Sequence, residues 1–253
     1  MGSSPCALDS AVMPLVLGPR ILDAGCGFGR WGALLTTNYW ETHRAEPGIR
    51  PSIKGCDGYL PNVELARQSG FYAEVIHTSF PPLPFPDNSF DAVSCRLGFM
   101  FFPDMLLAAK EMVRVLKPGG RIAATVWSEP GKNFWATAVM GVINKKMQLT
   151  PPPPEAPGLF RCAKSGLIPE LFMKAGLKNI SETEVMGKLN IENRKVYWNF
   201  MTEVVAPVVA ALKNADCELK VDIRREVFQA IKQKYPTGEL AIDSNAFVVF
   251  GEK

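Results

Sequence analysis

The run Ile21-Leu22-Asp23-Ala24-Gly25-Cys26-Gly27-Phe28-Gly29 sets three glycines at alternate positions directly after a short apolar stretch. Without Cβ atoms, such a turn lets a ligand approach bare backbone, and the start of a following helix favours the same spot. Any nucleotide-like cofactor could use it. A dinucleotide fingerprint, however, wants its third glycine at position 30, and this chain has Arg30 there. Asp23 separates the candidates further. A carboxylate at the mouth of the turn repels a diphosphate by roughly 4 kcal/mol at about 4 Å and an effective dielectric near 20, and attracts a cation by as much. The chemistry suggested is therefore capture of a positively charged nucleoside rather than of NAD. The plainer alternative is a glycine-rich turn in which Asp23 only caps a helix.

A strand must carry that turn and a helix must follow it. Short β-rich runs at residues 20–23, 53–57, 73–77, 90–95 and 121–127 alternate with helical patterns opening near Arg30, Pro61 and Pro103. That alternation predicts a parallel sheet wrapped by helices. Lys117-Pro118-Gly119-Gly120 reads as a tight turn ahead of the fifth strand. Beyond Trp127 the pattern loosens into a helical piece at 134–145, and four consecutive prolines from Pro151 to Pro154 make an extended connector. A helix over 167–175 stopped by Gly176, a strand over 178–184, two or three helices within 193–234 and a last strand over 246–250 complete the expectation.

Adenosylmethionine carries an ammonium and a sulfonium, the charges that Asp23 would attract. The run from Leu22 to Gly29 resembles the first motif of class I S-adenosylmethionine-dependent methyltransferases. Cys56-Asp57 resembles the family's acidic ribose ligand, and a carboxylate there can accept from both ribose hydroxyls. Its distance from Asp23, 34 positions, exceeds the usual one, and residues 38–51, with Tyr39, Trp40 and His43, look like the insertion responsible, a lid or a surface loop. Leu83-Pro84-Phe85-Pro86-Asp87-Asn88-Ser89-Phe90-Asp91 and Val115-Leu116-Lys117-Pro118-Gly119-Gly120-Arg121 are similar to the family's fourth- and fifth-strand patterns. With the stretch from Cys95 to Asp104 they resemble the branch called methyltransferase type 11, which includes quinone-biosynthesis and natural-product enzymes. The likeness covers roughly half of the chain.

The resemblance implies an α/β, Rossmann-like, doubly wound fold: a mostly parallel seven-stranded sheet with helices on both faces and an added helical cap. It implies S-adenosyl-L-methionine as cofactor, with S-adenosyl-L-homocysteine as product, held by Asp23, Gly25, Cys26, Gly27, Gly29, Asp57, Gly58, Tyr59, Ser79, Phe80, Cys95, Arg96 and Leu97. Residues 1–185 and 240–253 would form the core, and 186–239 a helical insertion able to cap the substrate.

Several positions depart from the family. Ser79 stands where an aspartate usually binds the adenine amino group, so recognition would lean on the Phe80 backbone. Gly58 replaces a branched apolar residue, leaving Tyr59 or Leu60 to wall the adenine. Only about nineteen residues precede the first strand, so the cover is expected from residues 193–234, where Tyr197, Trp198, Phe200 and Met201 crowd together. Those aromatics could equally be core or a homodimer face. Phe99, Met100, Phe101 and Phe102 suggest an apolar small-molecule acceptor or, again, helix packing. His43 and His77 sit in no catalytic motif, and no catalytic residue is assigned. Nucleobase methylation is disfavoured, because Cys95-Arg96-Leu97-Gly98 stands where an amino-methylating enzyme carries its Pro-Pro-aromatic run and Pro5-Cys6 is the only Pro-Cys pair. A macromolecule-modifying methyltransferase and a non-catalytic cofactor-binding protein remain the alternatives.

The bulk numbers agree with a folded enzyme. With 253 residues, 47% of them hydrophobic, the chain can bury a full core, and disorder is not expected. A net charge of +3 with no basic run beyond pairs argues against a dedicated nucleic-acid tail. No leader and no membrane-spanning run is read from the sequence, so a cytoplasmic protein is expected. The six cysteines show no paired spacing for zinc or disulfides.

Overall fold

The computed structural model describes residues 6–42, 51–150, 153, 155–237 and 240–253. A short helix, α1 (Cys6–Val12), precedes β1 (Arg20–Ala24), and α2 (Arg30–Thr42) follows the glycine turn. Then come β2 (Ser52–Asp57), α3 (Leu60–Gln68), β3 (Glu74–His77), β4 (Phe90–Arg96), α4 (Met105–Val115) and β5 (Leu116–Trp127). The second half holds α5 (Phe134–Met147), α6 (Leu167–Lys174), β6 (Lys178–Ile191), α7 (Arg194–Val204), α8 (Ala206–Leu212), α9 (Cys217–Lys234) and β7 (Leu240–Glu252). Among the described residues no helix is long and apolar enough to cross a membrane.

The seven strands lie in the order β3-β2-β1-β4-β5-β7-β6. β1 to β5 are mutually parallel, and β7 runs antiparallel to both β5 and β6. This is the expected mostly parallel, doubly wound α/β fold. Parallel strands are buried on both faces and so read as continuous apolar runs, which is why Ile21, Leu22, Ala24, Val93, Ala123, Ala124 and Val126 all sit in one core. The chain steps outward from β1 to β3 and returns through β4, so the carboxyl ends of β1 and β4 flank the point where the winding reverses. Ligand crevices of open α/β sheets form there.

Two stretches differ from the sequence-based expectation. Lys117 to Gly120 do not form a separate turn: they bulge within β5, between the pairs Phe90–Leu116 and Ala92–Arg121, with Gly119 at φ +74°. β6 and β7 are much longer than expected. Beyond the pair Trp127–Ala246 their ribbon continues from Met186–Asn245 to Ile191–Leu240, roughly 20 Å at the usual rise per residue. Residues 186–191, assigned to a helical insertion, are therefore strand, and α7, α8 and α9 are inserted where the ribbon has passed the carboxyl edge of the sheet.

These helices dock on α5, which packs on β7. The Tyr197 hydroxyl, fully buried, donates to the Trp135 carbonyl at 2.7 Å. Tyr197 and Met201 are thus core, the plainer of the two readings of that aromatic cluster. At the start of α5 the buried Asn133 fastens the layer to the sheet. Its amide nitrogen donates to the carbonyls of Asn245 (2.9 Å) and Glu129 (3.1 Å), while its oxygen accepts from Asn245 N (2.9 Å) and Trp135 Nε1 (3.0 Å). Replacement by leucine strands several of these groups at once. Asn133→Leu is expected to lower the unfolding free energy by roughly 2–5 kcal/mol in urea titrations.

Candidate functional site

Gly25 N and Cys26 N both donate to the Cys56 carbonyl, at 2.8 and 3.0 Å, fastening the turn after β1 to the end of β2. Two glycines there do different work. A Cβ on Gly29, at φ +92°, would meet Ala66 Cα at 2.9 Å, so that glycine lets α3 approach. A Cβ on Gly27, at φ +54°, would meet nothing within 4 Å: this backbone faces open space. Asp57 then joins the two loops, since Oδ2 accepts from Gly27 N and Oδ1 from Tyr59 N, both at 2.9 Å. A carboxylate has about four acceptor positions, so capacity remains on each oxygen. Gly58 and Tyr59 are exposed beside it, and His77 Nε2 lies 3.1 Å from the Gly58 carbonyl.

Asp23 is only 1% exposed. Its Oδ2 accepts from the Tyr72 hydroxyl at 2.6 Å, and that hydroxyl accepts in turn from Gly32 N at 2.9 Å. Its Oδ1 is buried and has no hydrogen-bond partner among the described residues. Burial pushes the carboxyl up to about 7, against the opposing pull of Tyr72 and Arg96 and with a small push from Asp57. Burial also raises the thiols around it: Cys56 to about 12, Cys26 and Cys95 well above the ordinary range. None of these is a thiolate nucleophile at neutral pH.

On the neighbouring strand, Arg96 ends β4. Its Nε donates to Asp9 Oδ1 at 3.0 Å, while Arg30 Nη2 donates to Asp9 Oδ2 at 2.9 Å, so one nearly buried carboxylate from α1 bridges two guanidiniums. The cluster carries one net positive charge. Trp31 lies under Arg96 with its ring 5.4 Å from the guanidinium carbon and donates from Nε1 to Ser94 Oγ at 2.8 Å. Leu97 follows at φ +59°, a left-handed conformation that a branched side chain adopts only under constraint. The constraint is visible: its N–H is shared by the Thr125 carbonyl and hydroxyl, both at 3.0 Å. A Cβ on Gly98 would fall 2.9 Å from Cys95 Sγ and 3.4 Å from the Ala24 carbonyl, so the ends of β1 and β4 close on each other here.

Asp23, Gly25, Cys26, Gly27, Gly29, Asp57, Gly58 and Tyr59 thus meet in one place, with the backbone of Cys95, Arg96 and Leu97 facing them. Ser79 is exposed just past β3, where Thr78 N is held by the Asp57 carbonyl at 3.1 Å. The Phe80 ring turns away into the core, edge-on to Phe102 at 4.6 Å. The run from Phe99 to Phe102 is corrected as an acceptor wall. Phe99 and Met100 are fully buried and Phe102 nearly so, with Phe99 packed on Phe172, and only Phe101 is exposed. His43 lies outside the described residues. The bridge from Asp9 of α1 to Arg30 and Arg96 was not anticipated, and neither was the hydrogen bond of Tyr72 to Asp23. Among the described residues no cluster of His, Cys, Asp or Glu could hold a metal ion.

Residues 22–124, which contain both acids, the glycine turn and the end of β4, match the methyltransferase domain family. Over that stretch the chain carries a methyltransferase domain of the class I, S-adenosylmethionine-dependent type. A demethylmenaquinone methyltransferase of Bacillus licheniformis is 37% identical over 122 residues, 47% of this chain and 49% of that protein. One of Listeria monocytogenes is 33% identical over 129 residues, 49% of this chain and 51% of that protein. The chain spans about half the length of the curated relatives it matches. The YcgJ protein from Bacillus subtilis shares the fold, with a TM-score of 0.55 at 17% identity over 97% of this chain and 96% of that one. The matched residues thus span the glycine turn and most of β1 to β5, while β6 and β7 lie beyond them.

An acid whose carboxyl is raised on folding costs stability as pH climbs from its unfolded value towards its folded one, because the folded state holds the proton longer. For Asp23 that window runs from 3.8 to about 7. Asp23→Asn keeps an acceptor for Tyr72 and abolishes the charge. Without ligand, its urea-unfolding free energy is expected to exceed that of the wild type above pH 7 by up to the order of 4 kcal/mol, with the gap closing towards pH 4.

Proposed function

We propose that this protein transfers a methyl group from S-adenosylmethionine to an apolar small-molecule acceptor of the quinone class, in the cytoplasm. The observation that carries the reading is the unused, buried Oδ1 of Asp23 beside an open glycine backbone. A cationic amino-acid end placed there satisfies the oxygen and brings the carboxylate back to its charged form, which a diphosphate could not do. The donor set fits the rest of the cofactor as well. Asp57 has acceptor capacity left for two ribose hydroxyls, Tyr59 is exposed beside it for the adenine, and the Ser79 hydroxyl stands at the end of β3.

When bound, the cofactor supplies a methyl group activated by its sulfonium. The protein is then asked mainly to align the acceptor and exclude water, and good alignment is worth about 7–11 kcal/mol of barrier. The shared N–H of Leu97, the bridge from Asp9 to Arg30 and Arg96, and the ribbon of β6 and β7 all stiffen the carboxyl edge where the acceptor would enter. No general base is assigned: the thiols nearby are protonated, and His77 faces the Gly58 carbonyl on the ribose side.

Support for the acceptor class comes from the relatives' names, demethylmenaquinone methyltransferases. The family match ends at residue 124, so α5 to α9 lie outside it. Transfer of labelled methyl from S-adenosylmethionine to demethylmenaquinone and to a panel of apolar phenols is expected to put label into the organic phase. Label found in protein or RNA would overturn the acceptor class. In calorimetry, Asp57→Ala should weaken S-adenosylhomocysteine binding by tenfold or more, since it removes charge-assisted hydrogen bonds worth roughly 1.5–3 kcal/mol. Unchanged affinity would remove Asp57 from the site.

A further inference from the structure

A concave surface lies apart from the glycine turn, on the three helices inserted between β6 and β7. It is a groove of about 410 Å³ between α7, α8 and α9. Its rim carries Lys213, Lys220 and Arg224, and its floor and edge carry Trp198, Val209 and Val221. No acidic residue lines it. Lys220, Val221 and Arg224 share one face of α9 by helical spacing, whereas Asp222 and Glu226 of that helix are turned to Lys146 of α5 at 2.6 and 2.5 Å, and Glu218, exposed in its first turn, does not line the groove. Among the described residues none of the three rim cations forms an ion pair. Val221 is 65% exposed, an unusual position for a branched apolar side chain between two cations.

Cations without counter-ions around an apolar trough present charge and hydrophobicity together. A soluble phosphate needs the first but not the second, and a nucleic acid would be gripped by stacking on more than one aromatic ring. A bilayer containing anionic phospholipid meets both needs: its headgroups neutralise the rim, and Trp198, Val209 and Val221 enter the interfacial layer. We infer that the groove of α7, α8 and α9 docks the protein on an anionic lipid surface. The helices are inserted where the β6–β7 ribbon has passed the carboxyl edge of the sheet, so docking holds that edge near the bilayer. The inference rests on the groove alone and stands whether or not the acceptor proposed above is correct.

The test is co-sedimentation of the full chain with large vesicles of phosphatidylcholine, with and without phosphatidylglycerol. Binding is expected only to the anionic vesicles and is expected to weaken as salt is raised. Each basic residue near such a surface contributes about fivefold in partitioning, so K213Q/K220Q/R224Q should lower binding by on the order of a hundredfold. A charge-matched control elsewhere on the surface, K110Q/K164Q/K178Q, should lower it far less. Thermal melts and S-adenosylhomocysteine affinity of the groove variant should match the wild type. If that variant melts early, the neutral-vesicle and salt arms on the wild type decide alone. Equal loss in both variants would reduce the effect to net charge and overturn the assignment. So would binding to neutral vesicles, no binding to either kind, or binding to single-stranded polynucleotide in place of vesicles.

Discussion

One carboxylate oxygen organises this molecule. Asp23 is carried into the interior at the end of β1, given a single hydrogen bond by Tyr72 and left with its other oxygen unmatched. A buried polar atom without a partner costs roughly 1–3 kcal/mol, more when charged. The chain bears that cost where it can be recovered, beside a backbone with no side chains in the way. Much of what surrounds Asp23 keeps it there. The turn is fastened to Cys56, Asp57 fastens the turn to the next loop, and the cluster of Asp9 with Arg30 and Arg96 holds one net positive charge nearby. The positive charge limits how far the acid can be raised and keeps its charged form within reach of a ligand.

The sheet supplies the geometry. Because the winding reverses between β1 and β4, no helix crosses the gap between their carboxyl ends, and the two loops that close on it contribute the glycine turn and the constrained Leu97. The antiparallel β7 and β6 then extend past this edge instead of stopping at it. They lend α7, α8 and α9 a platform beyond it, and α1 packs against the same strands while delivering Asp9 to both arginines. A fold shared widely among methyltransferases is thus finished by elements outside the matched residues.

The legible parts of the sequence were those under local constraint. Three alternate glycines after an apolar run have few explanations, and β1, β4 and the second half of β5 announce themselves because strands buried on both faces are mostly apolar. The extension of β6 was hidden because it is a half-exposed ribbon in which Met186, Gly187 and Lys188 carry no strand signature. The bridge of Asp9 to Arg30 and Arg96 spans 21 and 87 positions, and nothing local to any of the three residues announces it. Arg30 stood out only as a helix start and for breaking a dinucleotide spacing. The aromatic runs at 99–102 and 197–200 were ambiguous for a different reason: periodicity cannot distinguish the wall of a pocket from the inside of a core, and burial shows Phe99, Met100, Phe102 and Tyr197 to be core.

The claim at the centre is that Asp23 is poised between its two protonation states until a cation arrives, and it can be read as a proton count. Calorimetry of S-adenosylhomocysteine binding at pH 7, repeated in buffers of different ionisation enthalpy, measures protons released on binding. A carboxyl near 7 that becomes fully charged in the complex should release about half a proton, and Asp23→Asn should lose that release. An apparent enthalpy that is the same in every buffer, or a buffer dependence unaltered in Asp23→Asn, would contradict the account.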